Sequence, residues 1–207
     1  MAYRQYCAVA RSLDLIGDRW TLLIVRELLS GATRYAEIQR GLPGVPSNLL
    51  ADRLRRLKHD GILTKDAAEY RLTARGEALR AVVHELVRWG GELMVVGRGD
   101  DAFVPRWLIV ALDALIGPGP PLRVDIDVEG ERIHVARDDR AAFIGAGPAA
   151  GADAVLTAPG EVVLALASGH LDLREAIARG MATCAGNVEA AHALFGEATI
   201  ADADSRA

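Results

Sequence analysis

Apolar positions recur at helical spacing through the first half of the chain and at strand spacing in the second. Leu50, Leu54 and Leu57 fall four and three residues apart. With Ser47 as a cap and Gly61 as a stop, they predict a helix from Ser47 to about Asp60. Upstream, Cys7 to Ile16 reads as a first helix ended by Gly17. Asp18 then caps a second, Trp20 to Leu29, which is apolar nearly all round and so belongs at the buried centre, closed by Gly31. A short third helix is predicted from Thr33 to about Arg40, and "GLPGVPS" (41–47) is a turn. "ILTKDAAEYRLT" (62–73) runs β-prone, polar, β-prone, the pattern of a hairpin. Thr73 caps a long fifth helix with Leu79, Val82, Val83, Leu86 and Leu93 along one side. Further on, "LRVDIDVEGERIHVARD" (122–138) alternates around Glu129-Gly130, a strand–turn–strand.

Short helices, a hairpin, then a helix is the element order of a winged helix-turn-helix. Projected at about 100° per residue, the Ser47 helix has Leu50, Leu54, Leu57 and Gly61 on one side. Asn48, Asp52, Arg55 and Arg56 lie opposite, with Arg53 on the flank. Arginines on a helix face are ordinary where the face is solvated. The preceding short helix, the tight turn and the following hairpin instead make this the major-groove element, whose N-terminal residues reach base edges. Asp52 on that face either accepts from cytosine or holds a neighbouring arginine.

Charge sharpens the division. Residues 1–99 carry 16 Lys/Arg against 11 Asp/Glu, and residues 100–207 carry 8 against 17, so +5 and −9 make up the net −4. The basic half is the candidate for a polyanionic partner; the acidic half argues against nucleic acid covering the whole surface. "VVGRGDDAF" (95–103) stands where the sign changes and reads as the domain boundary. About half the residues are hydrophobic, enough for a core in each of two domains. Two cysteines, Cys7 and Cys184, make no disulfide framework, and no signal-peptide or membrane-spanning run is legible, so a cytoplasmic protein is expected.

Other chemistry is sparse. The histidines (59, 84, 134, 170 and 192) have no metal-ligand spacing, so no metal is expected. "GAGPAAG" (145–151) lacks the following helix of a dinucleotide loop, and Pro148 interrupts it; a surface loop is expected. No nucleophile–base constellation appears, which points away from an enzyme and from any cofactor. Cys7, with Arg4 and Arg11 nearby to stabilise a thiolate, is either a redox sensor or a small buried hydrophobe; Cys184 reads as structural.

Cys7, "IGDRWTLLI" (16–24), "RYAEIQRGLPG" (34–44), "LADRLRRLKHDGIL" (50–63) and "YRLTARGEAL" (70–79) together resemble the HxlR family of winged-helix transcriptional regulators, over residues 6 to about 90. The resemblance implies a homodimer on a pseudo-palindromic, double-stranded DNA operator, with the Ser47–Lys58 helix in the major groove. It also implies phosphate contacts from Arg34 and from wing residues near Lys65 and Arg71. The wing turn "KDAAEY" is short for the family, which removes the basis for a minor-groove contact. The DNA-binding set expected is thus Arg34, Ser47, Asn48, Asp52, Arg53, Arg55, Arg56, Lys65 and Arg71.

The second half, through "ADAVLTAPGEVVLALASGHLDLREAIARGMATCAGNVEAAHALF" (152–195), resembles the latter part of a sterol-carrier-protein (type 2) domain. The resemblance implies an α/β layer enclosing an apolar cavity for lipids or acyl groups, hence a small hydrophobic ligand. Trp107, Val110, Phe143, Leu164 and Leu166, with Leu112 and Leu115, either line such a cavity or simply fill the core. The expected architecture is α+β: a winged helix-turn-helix domain (1–97), a sterol-carrier-like α/β domain (103–196) and a frayed tail (197–207). The reading is a ligand-responsive DNA-binding regulator. Two rivals stay open, a redox switch through Cys7 and a lipid or acyl carrier.

Overall fold

The computed structural model describes residues 3–196, with the backbone alone at 95 and 96; the tail expected at 197–207 lies outside the described residues. The chain divides into two compact units, Met1–Val83 and His84–Ala207. The division falls ahead of the 95–103 stretch, inside a helix.

The first unit holds α1 (Ala8–Ile16), α2 (Thr21–Leu29), α3 (Tyr35–Arg40), α4 (Ser47–His59), β1 (Leu63–Asp66), β2 (Glu69–Leu72) and α5 (Ala74–Glu77), and α6 (Leu79–Gly90) starts in it. Ile24, Val25, Ile38, Leu50 and Leu54 are fully buried, so α2, α3 and α4 share one core. Asp18, expected to cap α2, stands two residues before the cap position, which Trp20 occupies with no side-chain cap bond; the Asp18 carboxylate accepts from the Trp20 and Thr21 N–H groups. Inside that core sits Glu27, completely buried and paired with Arg26 at 2.6 Å, whose Nη2 also donates to the Gly41 carbonyl. The pair ties α2 to the end of α3. The apolar pattern around Glu27 gives no hint of it.

Two further helix expectations are corrected. Ser47 is the first helical residue of α4, not its cap; Pro46 occupies the cap position, with φ −65° and ψ 135°. The Ser47 hydroxyl is engaged sideways instead, accepting from Gln39 Nε2 at 2.7 Å. The long helix expected after Thr73 is two segments, α5 and α6, divided at Ala78. Thr73 does cap α5, accepting from the Gly76 N–H. Gly76 rides so close to the wing that a Cβ there would lie 2.1 Å from the Ile62 carbonyl oxygen. The wing is the predicted hairpin, paired Leu63 with Leu72 through Asp66 with Glu69 around Ala67-Ala68.

In the second unit α6 is followed by a 3₁₀ turn (Gly91–Val96), then α7 (Trp107–Leu115), β3 (Leu122–Val128), β4 (Glu131–Arg137), β5 (Ala142–Ala146), β6 (Ala154–Thr157), α8 (Gly160–Ala167), α9 (Leu173–Ala178), β7 (Thr183–Gly186) and α10 (Val188–Phe195). The five-stranded sheet runs β5-β4-β3-β6-β7, with β6 parallel to β3 and the other pairs antiparallel. The β3–β4 turn is the predicted Glu129-Gly130, both residues at positive φ (52° and 82°), as a tight hairpin turn requires. Alternation buries Val124, Ile126 and Val128, with Ile133 and Val135 of β4, against α7, α8, α9 and α10 in one apolar cluster. Residues 147–151 form a loop leading into β6, with no helix after them.

Candidate nucleic-acid interface

The site is built on α4 and the elements that hold it. Leu50, Leu54 and Leu57 give it a buried back, so its opposite side faces solvent. Tyr35 donates its hydroxyl proton to the Ser47 carbonyl at 2.9 Å, and Gln39 donates to the Ser47 hydroxyl. These bonds seat the first turn of α4 on α3. Glu37 accepts from the Thr33 and Arg34 N–H groups, which starts α3 and leaves the Arg34 side chain exposed beside the wing. The wing is fixed to the same point, since the Tyr70 N–H donates to the Thr33 carbonyl at 2.7 Å.

On the exposed face lie Asn48, Arg55, Arg56, Lys58 and His59, with Asp52 half-buried. Arg55 is 74% exposed and reaches back to Asp52 at 3.2 Å, so the carboxylate holds a neighbouring arginine. An exposed pair of this kind is worth well under ~1 kcal/mol, and the guanidinium can exchange it for phosphate at little cost. Arg56, Lys58 and His59 stand in the last turn, where the helix dipole favours cations. On the wing, the Lys65 ammonium sits 5.0 Å from the Tyr70 ring centre and Arg71 pairs with Glu69 at 2.7 Å. Arg53 behaves differently. Its side chain is only 19% exposed, and its Nε lies 3.2 Å from Asp18 at the start of α2. It is the one arginine among those expected on the duplex that is turned back on the protein.

Cys7 is exposed and stands at the cap position of α1. Arg11 is engaged with Asp14 at 3.8 Å. Cys184 on β7 is half-buried, and burial pushes its thiol up. Among the described residues no group of His, Cys, Asp and Glu is arranged to hold a metal ion.

The five residues expected to meet a hydrophobic ligand are spread through the second unit. Val110 and Leu166 are buried. Leu164 packs half-buried against the apolar cluster, and Trp107 stands edge-on to Phe103 with ring centres 6.3 Å apart. Phe143 is 60% exposed and lines a cleft of about 430 Å³ with Arg123, Ala136, Asp138 and Asp153. Strand alternation is the reason: Phe143 pairs with Ala136 and Ala136 with Arg123, on the sheet face away from Val135. That cleft contains Phe143 alone of the five.

An amphipathic α4 seated on α3, with a tied two-stranded wing behind it, defines a winged helix-turn-helix. A model of the HxlR-like helix-turn-helix family matches residues 15–96. YvaP, an uncharacterized HTH-type transcriptional regulator of Bacillus subtilis (strain 168), is 34% identical over 89 residues, which cover 40% of this chain and 82% of YvaP. An uncharacterized HTH-type transcriptional regulator of Mycobacterium tuberculosis (strain ATCC 25618 / H37Rv) is 39% identical over 94 residues, covering 42% of this chain and 59% of that protein. The chain thus spans somewhat over half the length of that relative. A crystal structure of quinone-bound YodB from B. subtilis is 34% identical and covers 42% of this chain and 98% of that one, with a TM-score of 0.38. The chain belongs to the HxlR-like helix-turn-helix family. The match ends at residue 96, and the five-stranded sheet lies beyond it.

Proposed function

We propose that the protein is a transcriptional regulator that binds operator DNA as a homodimer, with α4 in the major groove and Arg34, Lys65 and Arg71 on phosphates. The observation that carries this reading is α4 itself: a leucine back at full burial and a front of exposed Asn48, Arg55, Arg56 and Lys58. Dimerisation is supported by two exposed apolar rows. Tyr6, Val9 and Leu13 lie along α1 and the residues before it, and Val82, Leu86, Trp89 and Leu93 run along α6 and the turn after it. Two such copies present two α4 helices to half-sites about 34 Å apart. The second unit is the sensor in this reading, a sterol-carrier-like domain for a small apolar molecule. Its order of β3–β4 hairpin, parallel β6, α8, α9, β7 and α10 over one apolar cluster supports that part.

The test is fluorescence anisotropy on a duplex selected by the protein from a randomised pool, at several salt concentrations. Affinity is expected to fall steeply with salt, and Arg56→Ala to lower the log–log slope by about 0.9, the value for one lost phosphate contact. A salt-independent or absent interaction rejects the reading. The exposure of Cys7 favours a second one, an oxidant-released switch. It requires release of the duplex by diamide in the parent and none in Cys7→Ser.

A further inference from the structure

We infer that Asp18 is a positioning residue for the recognition helix, acting through Arg53, which sets the roll of α4 and touches no DNA. This rests on the operator-binding reading above. A ridge of leucines keeps a helix on the core but resists rotation about its own axis weakly, because apolar contact is non-directional. Polar ties on both flanks oppose the rotation. At about 100° per residue, Ser47 lies about 60° to one side of Leu50 and Arg53 about 60° to the other. Both flanks are tied: Ser47 by hydrogen bonds to Tyr35 and Gln39 of α3, Arg53 by an ion pair with Asp18 at 3.2 Å in which its buried Nε makes no hydrogen bond.

Asp18 is well suited to be an anchor. One carboxylate oxygen accepts from the Trp20 and Thr21 N–H groups, and the other accepts from the Thr21 hydroxyl. The carboxylate is therefore fixed to the first turn of α2, whose Ile24 and Val25 are completely buried. The Arg53 and Asp18 side chains are 19% and 27% exposed, much drier than Arg55 with Asp52. Partial desolvation strengthens this pair relative to those that line the front of α4. The same carboxylate thus starts the central helix and holds the reading helix at its angle. A roll of α4 would carry Asn48 and Arg55 off their base edges while leaving the basic surface intact.

The experiment compares the parent chain with Asp18→Asn, Arg53→Lys and Arg53→Met, by anisotropy on the selected duplex and on a scrambled one of the same length. The amide introduced by Asp18→Asn keeps an oxygen for the Trp20 and Thr21 N–H groups and loses the charge that holds Arg53. Asp18→Asn is expected to weaken the selected duplex about tenfold, the worth of one well-placed base contact. The scrambled duplex and the salt slope are expected to stay unchanged. Arg53→Lys, which keeps the ion pair, is expected to retain most of the selectivity. Equal loss on both duplexes means that Asp18→Asn only lowers the folded fraction, and overturns the inference. So does unchanged selectivity in Asp18→Asn. A salt slope lowered by about 0.9 in Arg53→Met makes Arg53 a phosphate contact and also overturns it. A parent chain that binds neither duplex instead rejects the operator-binding reading itself.

Discussion

The same substitution at two glycines should move stability in opposite directions. A Cβ on Gly76 would lie 3.0 Å from Leu72 Cδ2 and 2.1 Å from the Ile62 carbonyl oxygen, well over ~1 Å inside ordinary contact with a backbone atom that has no free rotamer. That carbonyl accepts from the Thr73 N–H at 3.0 Å and lies 3.2 Å from the Thr73 hydroxyl, so moving it loosens the joint between wing and α5. Overpacking costs about 1–3 kcal/mol and a weakened hydrogen bond about 1 more, which puts Gly76→Ala near 3 kcal/mol. For a unit of this size that is a fall in Tm of about 12–24 °C. Gly90 has right-handed helical angles, φ −80° and ψ −9°, and no atom within 4 Å of a Cβ built there. Gly90→Ala should therefore gain up to about 1 kcal/mol from helix propensity. Thermal unfolding of both variants, followed by circular dichroism, is the assay. A Gly76→Ala protein melting within about 2 °C of the parent would refute the packing argument, as would Gly90→Ala losing as much as Gly76→Ala.

Leu54→Ala empties a fully buried position under α4 and should cost about 2–5 kcal/mol by urea denaturation; a loss below about 1 would mean the back of the helix is not packed. Trp89 is 75% exposed on α6, so in the proposed homodimer Trp89→Glu should bring the mass in light scattering down to a monomer's; an unchanged mass would remove α6 from the proposed contact. Asp172 is held below the ordinary carboxylate range by the Glu175 N–H first and by His192 second. A depressed folded value contributes stability present above about pH 4 and lost as pH falls through that folded value. Asp172→Asn should accordingly be less stable than the parent at pH 7, and the gap should close on acidification; a gap independent of pH would assign it to packing alone.

Much of this protein follows from local rules. The leucine spacing before Gly61, Asp18 ahead of α2, Thr73 ahead of α5 and Glu129-Gly130 between β3 and β4 each act over a few residues, so helices, caps and turns are legible in order. The motifs that mark the helix-turn-helix family lie within those same elements. Which flank of a helix meets which neighbour is a different matter. Helical periodicity places Arg53 at the edge of the arginine face but does not reveal that Asp18, on another element, stands beside it. The buried Glu27 is hidden for the same reason, since its partner is adjacent in sequence but the Gly41 carbonyl that completes the arrangement is not. In the second unit, composition marks Phe143 and Leu166 alike as apolar, and only strand register and helix docking put one in solvent and the other in the core. Periodicity reports a face; what covers that face depends on contacts between residues far apart in the chain, which tertiary packing alone decides.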